Sequence, residues 1–298
     1  MRMFVTGGSG FVGTHLLAHL TSCGDQVEAP LTDVTDLDAI TAAIAAMPGG
    51  PPDSIIHLAG QADVGKSWMD VSLTWTINTM GTVNVLEAAR SVAPTARIIV
   101  VSSAEVYGRV PVEELPIRED RPVASSSPYG ASKIAAEVAA RFAYEQFGQR
   151  VIIARPFNHL GVGQSPGFIL PAVARQIVEA ERSGGDVIML GNLDARRDVT
   201  AVDDVVAAYR LMAEHGVDGV TYNVCSDATV TMQELVDRML VLATKPLTVQ
   251  LDHARLRPHD IAVQCGDSTK LRTDTGWSPT VDLDGVLAAV LAEWRQRP

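Results

Sequence analysis

A glycine-spaced loop set directly after the first apolar run limits the fold more than any other feature. Met3–Val5 reads as a short strand, followed at once by Gly7, Gly10 and Gly13 in Gly-x-x-Gly-x-x-Gly spacing. Phe11, Val12 and Thr14–Leu20 then continue as a helix. Such a turn opens a parallel βα unit. Its glycines let backbone approach a pyrophosphate, and the helix start offers N–H groups and a positive dipole end. The bland alternative is a simple strand-to-helix turn. The loop's place at the head of the first βα unit favours the binding reading.

The rest of the first half repeats the pattern. Strands are expected at Gln26–Ala29, Ser54–Leu58, Arg97–Ser102 and Val151–Ala154, and helices at Asp36–Met47, Val71–Ser91 and Pro128–Phe147. Short apolar strands alternating with helices specify an α/β fold, a doubly wound parallel sheet covered on both faces. Ser127 caps the last helix, Pro128 suits its first turn, and Gly148 stops it. After Pro156 the chain turns to Gly- and Pro-rich loops, a helix at Pro171–Glu181 and several short elements. The expectation is a dinucleotide-binding domain over 1–157 and a smaller, α+β substrate-binding region over 158–298. The chain is expected to cross back to the first domain around 195–225.

Charge and cysteine content narrow the function. A net charge of −11 argues against general nucleic-acid binding, which needs a basic surface. No apolar run approaches the roughly 18–20 residues that span a bilayer. The N-terminus reads as lacking a signal peptide, because the glycine loop begins where an apolar segment would continue. Cys23, Cys225 and Cys265 are too scattered for a disulfide framework, and no Cys/His cluster suggests a metal. The expected setting is the cytoplasm. A phosphorylated ligand would need a local group of cations, for which Arg196, Arg197, Arg255 and Arg257 are candidates.

The chemistry concentrates in Pro128-Tyr129-Gly130-Ala131-Ser132-Lys133. Tyr129 and Lys133 are four residues apart and share a helix face. A nearby ammonium favours phenolate, so the pair suits proton donation and acceptance near neutral pH. Val100-Val101-Ser102-Ser103-Ala104-Glu105 ends a strand in hydroxyls and a carboxylate, where ligands of open parallel sheets sit. Ser103, with Ser102 competing, is placed to hold a sugar oxygen against Tyr129, or merely to cap the following turn. Glu105 on its own reads as a solvated or helix-start carboxylate. Leu58-Ala59-Gly60 offers small residues beside the adenosine, and Asp33-Val34 either meets the adenine edge or is a solvated loop. His57 reads as a packed strand-end histidine without chemistry. The strand-two tip, Glu28-Ala29-Pro30-Leu31-Thr32, leaves NAD and NADP both open.

These motifs resemble the extended short-chain dehydrogenase/reductases that act on nucleotide sugars. The matching pieces are Thr6–Gly13, His57-Leu58-Ala59, Asn78 with Gly81-Thr82, Ser103 with Val106-Tyr107-Gly108, Tyr129-x-x-x-Lys133 and Arg155-Pro156-Phe157-Asn158. The resemblance implies NAD or NADP held by Gly7, Gly10, Phe11, Val12, Gly13, Asp33, Val34, Leu58, Ala59 and Asn78, with Tyr129 as acid/base. Lys133 would bind the nicotinamide ribose and lower the phenol's pKa, and Ser103 would orient the substrate oxygen.

In the second half, Phe157–Phe168, Gly191-Asn192-Leu193, Arg196-Arg197-Asp198, Tyr222–Ser226, Arg257-Pro258 and Gly276-Trp277 are similar to the GDP-mannose branch. By that resemblance Asn158, Arg197 and Arg257 would hold the diphosphate. Surface pairing, such as Arg197 with Asp198, is the alternative, and Arg196 would share or replace the role of Arg197. Gly10-Phe11-Val12-Gly13 departs from the Gly-Gln-Asp-Gly of the GDP-mannose dehydratases, and the chain is compact. Both features resemble the partner reductases. The implied reaction is NAD(P)H-dependent reduction of a nucleotide-linked 4-keto-6-deoxy sugar at C4. A 4,6-dehydratase using Glu105, a 4-epimerase and a non-catalytic dinucleotide sensor are the alternatives. The apolar residues of Val71–Ser91 and Tyr129–Phe147 would suit a homodimer built as a four-helix bundle, or simply face the sheet.

Overall fold

The computed structural model describes residues 1–252 and 261–298. In its first half five strands, β1 (Arg2–Thr6), β2 (Gln26–Glu28), β3 (Ser54–His57), β4 (Arg97–Val101) and β5 (Arg150–Pro156), alternate with helices. The helices are α1 (Phe11–Ser22), α2 (Leu37–Ala45), α3 (Val64–Met69), α4 (Val71–Trp75), α5 (Gly81–Val92) and α6 (Pro128–Phe147). The second half carries β6 (Asn158–Leu160), α7 (Ile169–Ser183), β7 (Val187–Leu190), β8 (Arg196–Arg197), β9 (Val199–Ala201) and α8 (Val202–His215). It continues with β10 (Thr221–Val224), β11 (Val230–Thr231), α9 (Met232–Val241), β12 (Thr248–Leu251), β13 (Val263–Gln264), α10 (Thr269–Thr275) and α11 (Leu283–Gln296).

The central sheet has the order β10-β5-β4-β3-β1-β2 and is parallel throughout. Its strand alternation sorts the core. Met3, Val5, Ile56 and Ile99 pack on one face against Leu16 and Leu20 of α1 and Val205, Tyr209 and Met212 of α8. Phe4, Ile55, Ile98 and Val100 pack on the other against α2, α5 and α6. This two-residue period is what a pleated strand buried on both faces requires. The chain leaves β1 for β2 on one side and returns to β3 on the other. That switch opens a crevice beyond the carboxyl ends of β1 and β3. Helix α8 and strand β10 lie against the sheet although they come from the second half.

The remaining elements form a smaller α+β layer. Val173 and Ile177 of α7, Leu235 and Met239 of α9, and Leu287 and Leu291 of α11 share one core with Leu160, Ile188 and Leu190. The doubly wound sheet and the smaller C-terminal region are as the sequence implies.

Two local expectations need correction. Val71–Ser91 is not one regular helix, because a π-helical turn over Thr76–Met80 separates α4 from α5. Such a turn commonly marks a functional position, and here it contains the buried Asn78. Nor was α3 expected. It starts where Asp63 accepts from the Lys66 N–H and ends at Asp70, which in turn caps α4 through the Leu73 N–H. These are ordinary N-caps.

Candidate active site

The glycine loop is shaped by close approach rather than by flexibility. Gly7 sits at φ +74°, and a Cβ there would stand 2.7 Å from the Ala59 N. A Cβ at Gly13 would run into the Gly7 carbonyl oxygen. The loop therefore lies flat between the ends of β1 and β3. Gly10 is the N-cap residue of α1, and no side chain caps that helix. Its first N–H groups open toward the crevice, as an anion site requires.

His57 knits the floor of the crevice together. Thr82 Oγ1 donates to the Asn78 carbonyl at 2.7 Å, so it accepts from His57 Nε2–H at 3.1 Å. His57 Nδ1 then accepts from the Thr6 hydroxyl at 2.8 Å, and Thr6 Oγ1 accepts from the Ala59 N–H at 3.2 Å. Only one tautomer satisfies this chain. Burial pushes the imidazole pKa down to about 3, with the Lys133 charge adding to the effect. His57 is thus a neutral structural link, as the sequence suggested.

Asn78 forms the second link. Its Oδ1 accepts from the Gln61 N–H at 2.8 Å, and its Nδ2 donates to the Gln61 carbonyl at 3.1 Å and to Ser132 Oγ at 2.9 Å. Ser132 donates in turn to the Tyr129 carbonyl at 2.7 Å. A Cβ added to Gly60 would meet Asn78 Oδ1 at 3.0 Å and Lys133 Nζ at 3.3 Å. Asn78, Gly60 and Lys133 therefore converge at the mouth of β3.

Helix α6 delivers Tyr129 and Lys133 as its caps dictate. The Ser127 side chain accepts from the Gly130 N–H at 3.1 Å, Pro128 occupies the first turn, and Gly148 closes the helix at φ +66°. Lys133 Nζ donates to the Val101 carbonyl at 2.9 Å. Burial lowers its pKa to about 8, opposed by the Glu137 carboxylate. Burial pushes the Tyr129 phenol up to about 12, partly offset by a hydrogen bond with Ser103 and reinforced by the Glu105 charge. Burial is the largest influence on the phenol.

The two serines separate cleanly. Ser102 Oγ donates to Glu137 Oε1 at 2.6 Å, whereas Ser103 bonds the Tyr129 phenol and caps the following 3₁₀ turn through the Glu105 N–H at 3.2 Å. Ser103 faces the site. Glu105 stands close enough to Tyr129 for its charge to act on the phenol.

Other expected residues scatter more. Val34 is buried, and its carbonyl accepts from Asn84 Nδ2 at 2.9 Å. Asp33 is exposed, and its carboxylate accepts from the Thr35 N–H and hydroxyl, which holds it below the usual carboxylate range. Phe11 stacks on His159 with ring centroids 6.0 Å apart, fastening the glycine-loop helix to the second half. Asn158 pairs in register with Val199, two residues along the chain from Arg197. The β6–β9 pairing so draws these two expected diphosphate ligands toward one edge. Arg197 Nη1 donates to the Arg196 carbonyl at 3.0 Å, and Arg196 bonds Thr229. The Asp198 carboxylate is taken up by the Ser226 N–H and hydroxyl, the Asp227 N–H and the Gly266 N–H. Arg255 and Arg257 lie outside the described residues.

Glu137, Arg155, Tyr107 and Asn223 belong to the site's frame but were not singled out as such from sequence. Arg155 Nε and Nη2 fork onto the two Glu137 oxygens at 2.8 and 2.6 Å. Arg155 Nη1 reaches the Tyr107 hydroxyl at 2.9 Å, which donates to Asn223 Oδ1 at 2.6 Å. The only local signal was Glu137 standing one helical turn beyond Lys133.

A Rossmann-type sheet, a glycine loop at its switch point and a Ser–Tyr–Lys group beyond β4 define a short-chain dehydrogenase/reductase of the nucleotide-sugar type. A model of the GDP-mannose 4,6 dehydratase family matches residues 26–290, and the chain belongs to that family. It is 35% identical to the GDP-6-deoxy-D-mannose reductase of Pseudomonas aeruginosa, over 99% of this chain and 98% of that protein. It is 30% identical to a dTDP-glucose 4,6-dehydratase of Streptomyces griseus, over 98% and 93%. The solved structure of RMD from Pseudomonas aeruginosa complexed with NADPH superposes with a TM-score of 0.91 at 34% identity, covering 100% of this chain and 98% of that one.

Proposed function

We propose that this protein reduces the C4 carbonyl of a nucleotide-linked 4-keto-6-deoxy sugar, GDP-4-keto-6-deoxy-mannose in particular, after its similarity to a GDP-6-deoxy-D-mannose reductase. The crevice fits a nicotinamide dinucleotide. A Cβ on Gly7 would strike the backbone of Leu58 and Ala59 and one on Gly13 the loop's own backbone, so glycines let the loop close down beside the uncapped start of α1. Gly7, Gly10, Phe11, Val12, Gly13, Leu58, Ala59 and Asn78 would hold the dinucleotide, with Lys133 at the ribose. When bound, NAD(P)H supplies the hydride that reduces the sugar carbon.

The protein's own part is proton delivery. The Tyr129 phenol, bonded to Ser103 and one helical turn from Lys133, is placed to give its proton to the developing alkoxide. That placement, with 35% identity along the whole chain to a GDP-6-deoxy-D-mannose reductase, is the observation that carries the reading. Asn158, Arg197 and Arg257 are proposed as the diphosphate ligands, through guanidinium forks suited to phosphate oxygens. Residues 1–157 are proposed as the cofactor domain and 158–298 as mainly the substrate region.

Glu105 separates the two chemistries. Dehydration needs a second acid/base to remove the C5 proton and water from C6, and Glu105 is the carboxylate beside Tyr129. Glu105→Gln is expected to keep NADPH-dependent reduction within about threefold of wild type, because it removes no group that a reductase uses. A loss near the roughly 100-fold that a general acid or base contributes would show that Glu105 serves the reduction itself, and conversion of GDP-mannose to a keto sugar that Glu105→Gln abolishes would point to dehydration instead.

The exposed apolar face of the first half supports a homodimer. Trp68 is 63% exposed and Met69 87%, and they stand with Leu73, Trp75, Met80, Val138 and Phe142 on the α3, α4 and α6 side. The helices do not turn these residues into the sheet. A patch of this kind on a chain with a complete core marks a protein contact, and two copies would close it as a helical bundle. Light scattering at micromolar concentration is expected to return twice the 31.7 kDa chain mass. A mass of one chain would sink the dimer.

A further inference from the structure

The tip that follows β2 carries a charge pattern that the proposed reduction does not use. Where a glycine loop holds a dinucleotide, a residue roughly 20 positions further on meets the adenosine ribose. A carboxylate there accepts from a free 2′-hydroxyl, whereas a nearby arginine takes a 2′-phosphate. Counted from Gly10 and Gly13, that place is residues 30–33, just past β2. The fold sets this tip against the loop, since a Cβ added to Gly8 would stand 2.8 Å from Ala29 Cβ. The Thr32 N–H donates to the Pro30 carbonyl at 2.9 Å, which makes a γ-turn with Leu31 at its centre, 87% exposed. Beside it the exposed Asp33 takes both Thr35 donors on Oδ1, at 2.9 and 2.8 Å, and neither on Oδ2. Glu28 ends the strand itself. The start of α2 would otherwise draw a phosphate, but Asp36 already accepts from the Ala39 N–H at 3.0 Å and Asp38 stands in the first turn.

The cations of the surrounding elements are committed elsewhere. From Met3 to Gly65 the sequence has neither lysine nor arginine. Arg2 is at the opposite end of β1, bonded to the Gly49 carbonyl and to Asp53. Lys66 follows β3, which lies across β1 from the tip. Helix α5 meets this segment through Asn84 and Val34, and its one cation, Arg90, is forked onto Glu87. On α1, His15 is turned to Asp203 and the Val162 carbonyl, and His19 lies by Cys23. We propose that this tip makes the protein select NADH over NADPH: Leu31 stands where a cation would take the 2′-phosphate, and Asp33 repels that phosphate while accepting from a free 2′-hydroxyl. The inference deepens the dinucleotide reading of the crevice and rests on it. A 2′-phosphate brings close to two negative charges. Water and salt screen their repulsion at an exposed carboxylate, so the larger effect is the guanidinium fork that Leu31 does not supply. NADPH still binds, but more weakly. Such a preference would part this chain from its relative of known structure, which was solved with NADPH.

The test reads affinity rather than turnover. Wild type, Leu31→Arg and Asp33→Asn are titrated with NADH and with NADPH, followed by nicotinamide fluorescence at one ionic strength. Wild type is expected to bind NADH about 10–100-fold more tightly, the scale of one hydrogen bond to a charged group. Leu31→Arg changes an exposed side chain, so the fold is kept. It should raise NADPH affinity about tenfold by restoring such a bond, and leave NADH within about twofold, because a neutral hydroxyl gains little from a guanidinium. Asp33→Asn should narrow the ratio from the other side, by weakening NADH and relieving the repulsion of NADPH. Wild type that binds NADPH as tightly as NADH, or more tightly, would overturn this proposal and leave the dinucleotide reading standing. An unchanged NADH-to-NADPH ratio in Leu31→Arg is equally contrary. Wild type that binds neither nucleotide would overturn the dinucleotide reading and this one with it.

Discussion

Replacing Tyr129 with Phe is expected to cut turnover by about 10²–10⁴-fold, the usual contribution of a positioned general acid. NADPH affinity should stay close to wild type, because the change removes one oxygen and leaves the helix, Lys133 and the glycine loop alone. The ring is buried, and its backbone is fixed independently. Its N–H donates to Ser67 Oγ at 3.2 Å and its carbonyl accepts from Ser132. Phe can therefore occupy the same place. Steady-state rates at saturating substrate, together with fluorescence titration of NADPH, separate the two effects. A variant with more than about a tenth of wild-type turnover would mean that another group delivers the proton, since that is below what such an acid contributes.

The second large effect is on stability. Arg155→Met is expected to lower unfolding free energy by about 3–5 kcal/mol, the cost of leaving one member of a buried ion pair without its partner. For a domain stable by roughly 5–15 kcal/mol that is a large fraction. The stranded charge would be Glu137, surrounded by protein and left with Ser102 and the more exposed Arg141. The pair itself need not be net stabilising, because removing two charges from water is costly. The double variant Arg155→Met with Glu137→Met should accordingly recover most of the loss. Urea denaturation of the three proteins checks this. A single-variant loss below about 1 kcal/mol would place the pair in a wetter setting than its burial implies, since exposed pairs contribute only that much.

Much of the site was legible because its signals are local. Ser127, Pro128 and Gly148 bound helix α6 through contacts within a few residues of each terminus, so its ends read correctly from sequence. The glycine loop was legible for the same reason. Gly7 and Gly13 serve a turn that begins and ends within one βα unit. Ser103 could be proposed but not separated from Ser102. The distinction lies with Glu137, 35 residues further along, which takes the Ser102 hydroxyl. The Arg155 network was out of reach for the same reason. Tyr107 is 48 residues from Arg155 and 116 from Asn223, and only the β4–β5–β10 arrangement brings them together. The π turn at Thr76–Met80 was hidden in a helix-compatible run, and its Asn78 meets Gln61 and Ser132 only in the fold. The Tyr-x-x-x-Lys spacing places the two side chains together but does not report burial, which is the largest influence on the Tyr129 phenol.

The central claim is that this chain spends reduced nicotinamide on a keto sugar. The direct measurement is absorbance of NADPH and NADH at the reduced-nicotinamide wavelength with purified protein and GDP-4-keto-6-deoxy-mannose. Steady, stoichiometric consumption of one of them, yielding a GDP-6-deoxyhexose, is the result expected. No net consumption, accompanied by conversion of GDP-mannose to a keto sugar, would contradict the account and make the protein a dehydratase.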